Sequence, residues 1–399
     1  MSQCGGLSDF RLGRMSEVLR AQVDRGAVAG VVALVARREA VHVEAIGVQD
    51  IASGAPMRRD TIFRIASMTK PITAAAAMIL AEEARIRLDD PVERWLPELA
   101  NRRVLRSIES ALDDTVPAER SITVRDLLTF RLGLGAVMAP PGTYPIQAMM
   151  ADLGVAPGPD LVPFAPDDYM ARIGRLPLVH QPGERWMYHT GADILGVLIS
   201  RITGTGLEEF LRQRLFTPLG MNDTGFSVSA ETIGRLATCY VRAEGSEALR
   251  VWDTARDGQY ARAPVFPSLL VSTADDYLAF GRMLLRHGRY QGGRILARPT
   301  VQLMMSDQLT ETQKSASPFF SGFWDNKGWG FGGAVVTRRD GIAASPGCYG
   351  WTGGFGTTFI ADPAEEMVAI LLIQRLMRSA DDTAIDQDFL TLAYQAIDD

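Results

Sequence analysis

The chain has 399 residues, of which 47% are hydrophobic and 22% are charged, and its formal net charge at pH 7 is −6. This composition is that of an ordinary soluble globular protein, and the length allows a large core and two subdomains. A mildly acidic chain with interspersed charges lacks the basic face of a nucleic-acid-binding protein, so we expect no nucleic acid as a partner.

The cysteines and the amino-terminal residues indicate the compartment. Cys4, Cys239 and Cys348 are widely spaced and form no C-x-x-C pair, so they predict neither a disulfide framework nor a metal site. No basic region followed by an apolar run opens the chain, and no apolar stretch is long enough to span a bilayer. We therefore expect a cytoplasmic protein with no membrane partner, no metal and no cofactor, whose oligomeric state, monomer or dimer, the sequence leaves unknown.

The first elements in the chain are a helix, a hairpin and a second helix. Apolar residues at helical spacing indicate an amphipathic helix over residues 8–26. Two Val-rich runs, Val28–Ala36 and Val41–Val48, are joined by a short polar link and predict an antiparallel hairpin. An Ala-rich helix is predicted from Ile72 to Ala84.

The middle of the chain is predominantly helical. A helix begins near Ser121 with Thr123 as a plausible cap. Residues 133–183 are rich in Pro and Gly and broken by short helical pieces such as Pro166–Ile173, a pattern typical of lids and pocket walls. Further helices are predicted over Gly191–Thr203 and Gly206–Leu215.

After about residue 225 the pattern shifts toward strands and turns, interrupted by a predicted helix over Asp275–Arg286. Strands are predicted over Val335–Thr337, Gly356–Ala361 and Met367–Ile373, and a helix over Asp382–Ile397 closes the chain.

This order of elements predicts an α/β fold. One antiparallel sheet, built from N- and C-terminal segments and flanked by helices, would carry an inserted mainly helical domain. We predict a sheet domain over residues 7–60 and 225–399 and a helical domain over residues 61–224, with the active site in the cleft between them.

The segment Phe63–Pro71 contains a Ser-x-x-Lys motif at the start of the Ala-rich helix. Ser67 and Lys70 would share one helix face, with Cβ atoms roughly 5–6 Å apart, and a lysine with a lowered pKa can accept the serine proton. Pro71 indicates the first turn, so Ser67 lies near the helix N-terminus, where unpaired N–H groups favour an anion. The same four-residue pattern also occurs on solvated helix surfaces.

Lysine is rare in this chain. Lys70, Lys314 and Lys327 are the only lysines, although Lys and Arg together number 41. Arginine stays protonated and is a poor general base, whereas the pKa of a lysine can be tuned. The retention of Lys70 therefore favours a chemical role for it.

Two further segments are candidates that also have simple structural interpretations. Tyr188 lies at a predicted loop–helix junction, where a tyrosine is more often packed with its hydroxyl bonded than catalytic. The glycine-rich run Gly350–Gly356 precedes an apolar strand, so its N–H groups could bond a substrate oxygen, although a turn or bulge explains it equally.

Other patterns are excluded by their context. Gly328–Gly333 matches G-x-G-x-x-G but precedes a strand-like run instead of a helix, so a dinucleotide site is not predicted. The chain has no G-x-S-x-G, its four histidines form no metal-binding motif, and no carboxylates cluster at ligand spacing.

Taken together, these segments resemble the serine β-lactamase and penicillin-binding-protein superfamily, most closely the class C β-lactamase-like serine hydrolases called family VIII carboxylesterases. The resemblance runs over nearly the whole chain and rests on three motifs in order: Ser67 to Lys70, Tyr188, and Trp351 to Gly353. Other similar segments are Leu88–Pro91, Val124–Thr129, Pro182–Glu184, Pro218–Met221 and Val271–Tyr277.

The resemblance implies roles for individual residues. Ser67 would be the nucleophile, Lys70 the residue that lowers its pKa, and Tyr188 the base or proton shuttle. The N–H groups of Ser67 and Gly354 would form the oxyanion hole. The substrate-binding residues would be Trp351, Thr352, Gly353, His189 and Phe130.

Three departures from the family pattern bear on the substrate. The family's Tyr-x-Asn is Tyr188-His189-Thr190, which lacks the amide that contacts a β-lactam side chain. Trp351 replaces the cation that helps to hold a substrate carboxylate, and the segment Thr129–Gly133 is less polar than its family counterpart. All three changes favour neutral, apolar acyl groups over anionic peptide-like substrates.

The preferred hypothesis is a serine esterase that cleaves carboxylic esters of neutral, short-chain acyl groups through an acyl-enzyme on Ser67, with a small-molecule ester as its partner and acyl transfer as an open alternative. A second hypothesis is a β-lactamase, D-Ala-D-Ala carboxypeptidase or amidase. A third is a non-enzymatic binding protein that keeps the fold.

Overall fold

The computed structural model describes residues 5–158, 162–243, 245–253, 260–261, 266 and 269–399. The α-helices are α1 (Asp9–Asp24), α2 (Thr69–Glu82), α3 (Val124–Leu128), α4 (Pro145–Asp152), α5 (Pro166–Arg175), α6 (Thr190–Thr203), α7 (Leu207–Leu211), α8 (Thr217–Leu219), α9 (Ala274–Leu285), α10 (Arg298–Met304), α11 (Glu311–Ser315) and α12 (Ala384–Gln395). A π-helical turn (Arg212–Phe216) joins α7 to α8, and 3₁₀ turns occupy Ala66–Met68, Val92–Arg94, Pro97–Leu99, Ile233–Arg235 and Phe323–Asp325.

The strands are β1 (Gly30–Arg37), β2 (Ala40–Asp50), β3 (Ala55–Pro56), β4 (Phe63–Arg64), β5 (Arg103–Leu105), β6 (Thr115–Pro117), β7 (Ser227–Val228), β8 (Cys239–Arg242), β9 (Leu249–Asp253), β10 (Tyr260–Ala261), β11 (Val271–Ser272), β12 (Arg289–Tyr290), β13 (Gly293–Arg294), β14 (Lys327–Trp329), β15 (Ala334–Val336), β16 (Tyr349–Gly353), β17 (Thr357–Asp362) and β18 (Met367–Ile373).

Within the described residues, eight strands form one antiparallel sheet in the order β14-β15-β16-β17-β18-β1-β2-β3. The N-terminal hairpin joins the C-terminal strands where β1 pairs with β18, with Val31 opposite Ile373. The predicted α/β fold, with one antiparallel sheet made from both ends of the chain and flanked by helices, is therefore confirmed.

The central strands are covered on both faces, which explains their continuous apolar sequences. Alternate side chains of a strand point to opposite faces of the sheet. Val31 and Ala33 of β1 face a core that contains α1 and α12, whereas Val32 and Leu34 face the core that contains α2 and α9. This second core continues from the sheet into the helical middle of the chain. The domain boundaries given above stay predictions.

Helix α2 is rich in alanine because it lies inside the core between the sheet and the helical middle of the chain. Every residue from Thr69 to Leu80 is buried, so small side chains are needed on all of its faces. Helix α3 begins as predicted, because the Thr123 hydroxyl accepts a hydrogen bond from the Asp126 N–H at 3.2 Å while the Asp126 carboxylate accepts one from the Thr123 N–H at 2.9 Å.

In the part of the chain that the structure describes, no helix is both long enough and apolar enough to cross a bilayer.

Candidate active site

Ser67 lies in the 3₁₀ turn Ala66–Met68, which runs directly into α2. This turn begins at Ala66 with a positive φ of 43°, and it follows β4, which pairs with β11. The Ser67 side chain therefore stands at the helix start that the sequence predicts for it.

The Lys70 ammonium donates a hydrogen bond to the Ser67 Oγ at 3.0 Å. The Lys70 side chain is only 1% exposed, and this burial lowers its pKa to about 8, although the carboxylate of Asp193 acts in the opposite direction. A lysine with this pKa is partly deprotonated near neutral pH and can accept the serine proton.

Tyr188 completes a group of three side chains around the serine hydroxyl. Its hydroxyl hydrogen bonds with Ser67 and accepts a hydrogen bond from the Trp351 Nε1 at 2.7 Å. The Lys70 Nζ lies 5.1 Å from the centroid of the Tyr188 ring. Burial raises the pKa of Tyr188, so its hydroxyl keeps its proton at neutral pH.

The backbone around Phe130 holds Tyr188 in place. The Met187 N–H donates to the Phe130 carbonyl and the Ala136 N–H donates to the Tyr188 carbonyl, each at 2.8 Å. The Phe130 side chain, predicted to contact substrate, is instead buried behind Tyr188 at a ring-centroid distance of 5.9 Å and does not line the cavity. Its position supports the tyrosine.

The edge of β16 approaches the nucleophile closely. Gly353 is packed so tightly that a Cβ there would lie 2.3 Å from the Ile65 carbonyl oxygen, and the Thr357 hydroxyl donates to the same oxygen at 3.2 Å. Gly353 therefore docks the strand against the Ser67 turn and lies outside the cavity wall. The next residue, Gly354, does line the cavity together with Ser67, where the resemblance expects the two oxyanion N–H groups.

The cavity beside Ser67 has a volume of about 550 Å³, which suits a small molecule. Six aromatic side chains lie in its largely apolar wall, namely Phe266, Phe319, Phe320, Phe323, Trp351 and Phe355. Its polar and charged lining residues include Ser67, Tyr188, His189, Asp193, Lys327, Thr352, Arg378 and Thr383.

His189 and Asp193 form a pair at one side of this cavity. The His189 Nε2 lies 3.2 Å from a carboxylate oxygen of Asp193, which is 3% exposed, and His189 has a positive φ of 89° at the start of α6. The family resemblance implies contact with substrate for His189, whereas no motif in the sequence singles out Asp193. An acidic residue in the first turn of an apolar helix was the available signal.

The aromatic wall was also missed by sequence reasoning. Phe319, Phe320 and Phe323 lie between α11 and β14 and pack with Trp351 and Trp186 around Tyr188. The signal for them was the local density of Phe and Trp in residues 319–331.

Among the described residues, no group of three or more His, Cys, Asp or Glu side chains is placed to hold a metal ion.

Comparison with known proteins gives a family match over most of the chain. The sequence profile of the family described as Beta-lactamase matches residues 15–393. Protein Rv1367c of Mycobacterium tuberculosis (strain ATCC 25618 / H37Rv) is 41% identical over 367 residues, which cover 89% of this chain and 88% of that protein. Esterase EstB of Burkholderia gladioli is 32% identical over 365 residues, covering 86% of this chain and 85% of EstB.

Among solved structures, the fold is similar to that of EstCE1, described as a hydrolase with promiscuous acyltransferase activity. The TM-score is 0.78 at 25% sequence identity, and the match covers 96% of this chain and 98% of EstCE1.

Proposed function

Because this chain belongs to the beta-lactamase family, we propose that it is a serine esterase of the family VIII carboxylesterase type, which cleaves esters through an acyl-enzyme on Ser67. A small-molecule ester as its partner and a cytoplasmic location are part of this proposal. The esterase and the hydrolase with acyltransferase activity among its relatives support ester chemistry over other reactions of the family.

The observation that carries the proposal is the geometry at Ser67. Its hydroxyl lies 3.0 Å from the Lys70 Nζ and bonds with Tyr188, whose own hydroxyl is fixed by Trp351 at 2.7 Å. A nucleophile, a base with a lowered pKa and a proton donor with a raised pKa thus meet at one point of an apolar cavity.

The mechanism follows from these contacts. Neutral Lys70 accepts the Ser67 proton while the serine oxygen forms a bond to the ester carbonyl carbon. The N–H groups of Ser67 and Gly354 stabilise the negative charge that develops on the carbonyl oxygen. When the ester C–O bond breaks, the proton passes through Tyr188 to the leaving alcohol.

Deacylation reverses the proton transfers. Water attacks the acyl carbon and gives up one proton, and the serine oxygen recovers a proton as the carboxylic acid leaves. A second alcohol in the place of water would give a new ester, which is acyl transfer.

The cavity wall supports a neutral, short acyl group. The wall is largely apolar and includes six Phe and Trp side chains, and the indole of Trp351 occupies the strand position where the resemblance expects a cation. Because an indole N–H engaged with Tyr188 cannot neutralise a carboxylate, the position next to the reaction centre favours an uncharged group.

Substitution of the nucleophile tests the proposal. Ser67→Ala should abolish labelling by a fluorophosphonate probe and lower kcat/KM for p-nitrophenyl butyrate by at least about a thousandfold, since the covalent step is lost. Ser315→Ala, at an exposed position of α11, is the matched control and should behave as the wild type. Undiminished labelling of the Ser67 variant would refute the assignment.

The family match itself favours β-lactam hydrolysis as the second candidate. Parallel measurements with nitrocefin and p-nitrophenyl butyrate separate the two. A higher kcat/KM for nitrocefin would favour a β-lactamase. Because Trp351 stands where the family has a cation, we expect the higher kcat/KM for p-nitrophenyl butyrate.

A further inference from the structure

A second lysine faces the cavity. Lys327, the first residue of β14, lines the wall, and its Nζ lies 5.3 Å from the centroid of the Phe323 ring. The side chain is half-buried, and burial lowers its pKa. The cavity that contains Ser67 therefore also contains an ammonium group that has no part in the reaction described above.

This ammonium lacks a counterion among the described residues. Lys314, by contrast, pairs with Asp307 at 2.9 Å and Glu311 at 2.6 Å, whereas no carboxylate of the described chain lies within 4.0 Å of the Lys327 Nζ. Two acidic side chains, Asp340 and Asp386, attract the Lys327 ammonium, but only from beyond salt-bridge distance.

Those two carboxylates already have partners. Asp340 accepts a hydrogen bond from the Asn326 side chain at 2.7 Å, and Asp386 accepts one from the Thr358 hydroxyl at 2.7 Å. The other cation of the wall, Arg378, pairs with Glu247 at 3.5 Å. Of the two cations in the cavity wall, Lys327 is therefore the one that forms no salt bridge within the described residues and can bind an anionic ligand.

An unpaired ammonium in an apolar cavity is costly unless something compensates its charge. The same low-polarity surroundings strengthen its attraction to an anion that enters. The aromatic face of Phe323 gives Lys327 a cation–π contact but carries no net negative charge to balance the ammonium. A carboxylate of the substrate would restore the balance of charge.

We propose that Lys327 binds a carboxylate on the alcohol half of the ester substrate. This inference rests on the proposed function, in which the acyl half is neutral, so the anionic group belongs to the leaving alcohol. In the family a cation stands at the position of Trp351 on β16. In this chain the ammonium of Lys327 on β14, two strands away in the sheet, would take over the binding of a carboxylate. The substrate class is then a short-chain acyl ester of a hydroxy acid.

A matched pair of substrates isolates the carboxylate. In 4-(butyryloxy)benzoate the leaving alcohol is anionic, and in 4-(butyryloxy)benzamide it is neutral and of the same shape. We expect the wild-type kcat/KM to favour the benzoate by about tenfold to a hundredfold, because a charge-assisted hydrogen bond is gained.

Three variants test whether the preference for the benzoate depends on the charge of Lys327. Lys327→Met shortens the side chain by only one heavy atom and removes its charge. It should abolish the preference by raising KM for the benzoate while the benzamide kinetics stay within about twofold. Lys327→Arg should keep at least part of the preference. Arg298→Met removes an exposed cation at the start of α10 and should leave the preference intact.

The outcomes separate this inference from the proposed function. Hydrolysis of both substrates with no preference, or with a preference that Lys327→Met leaves unchanged, would refute the role of Lys327 and leave the esterase intact. Absence of Ser67-dependent hydrolysis of either substrate would refute the esterase. Binding of 4-hydroxybenzoate to Ser67→Ala, weakened at least about tenfold by the added Lys327→Met change, gives a readout that is independent of turnover.

Discussion

Lys70 and Tyr188 experience the same apolar surroundings, which act on their proton affinities in opposite directions. Burial disfavours the charged form of each group, so the pKa of Lys70 falls to about 8 and the pKa of Tyr188 rises. Above pH 8 a neutral amine and a neutral phenol therefore stand side by side at Ser67, one ready to accept a proton and the other able to donate one.

This state predicts the pH dependence of acylation. Below pH 8 Lys70 is protonated and cannot accept the serine proton, so kcat/KM for p-nitrophenyl butyrate should rise with pH through a midpoint of about 8. The carboxylate of Asp193 raises the pKa of Lys70, so Asp193→Asn should move the midpoint to lower pH. Profiles measured between about pH 6 and 9.5 check this; a midpoint that moves upward in the variant would contradict it.

At the scale of elements, two glycines set the distance between the sheet and the segment that contains Ser67 and Lys70. Gly353 lets β16 approach the Ile65 carbonyl, and Gly332, between β14 and β15, does the same at the Lys70 carbonyl, 2.6 Å from where a Cβ would stand. Gly332 also has a φ of 74°, in the left-handed region that glycine adopts readily. The base of the reaction is thus held partly by backbone contact.

We predict that Gly332→Ala lowers activity through this contact. The added methyl group must displace the Lys70 backbone, so kcat/KM should fall by about tenfold or more and the melting temperature should also drop. Gly234→Ala is the matched control, because a Cβ there meets no atom within 4 Å and its φ is ordinary. Wild-type kinetics in the Gly332 variant would show that the close approach is unimportant for Lys70.

Elements whose stability is encoded locally could be predicted from the sequence. The strand Met367–Ile373 has the predicted limits, since its apolar run is continuous and contains three β-branched residues. For β16 the sequence predicts only a glycine-rich strand edge or turn, because its pairing depends on β15 and β17 and its glycines contact the distant Ser67 turn. Propensity within one segment contains no information on such contacts.

The same distinction holds for the site. Ser67 and Lys70 were identifiable because four residues of one helix start contain both groups. Asp193 and the aromatic residues Phe319, Phe320 and Phe323 reach the cavity only through tertiary packing, and their local sequence is equally typical of a core.

At the scale of the whole molecule, the sheet separates two hydrophobic cores, of which only one contacts the segment that contains Ser67. Ile65 and Met68, which flank Ser67, belong to the core of α2 and α9, whereas α1 and α12 cover the opposite face. Packing defects on that opposite face should therefore affect stability more than chemistry.

Phe389→Ala tests this separation. Phe389 of α12 is fully buried in the core with α1, so its truncation should lower the free energy of unfolding by about 3–5 kcal/mol, measured by urea denaturation. The kcat/KM of the folded enzyme should stay within about twofold of the wild type. Phe10→Ala, at a position of α1 that is 74% exposed, is the control and should change stability little. A large loss of kcat/KM in a fully folded Phe389→Ala variant would mean that packing in this core affects the geometry of the active site.

The pairing of Val31 with Ile373 also has a consequence for biosynthesis. When β1 and β2 leave the ribosome, the edge of β1 that will receive β18 is apolar and unpaired, and it waits while almost all of the remaining chain is translated. At about 5–20 residues per second this interval is on the order of tens of seconds, long compared with hairpin formation and hydrophobic collapse. An exposed apolar strand edge of this kind invites intermolecular pairing. The yield of native protein should therefore depend on temperature, translation rate and chaperone supply more strongly than the stability of the finished fold suggests.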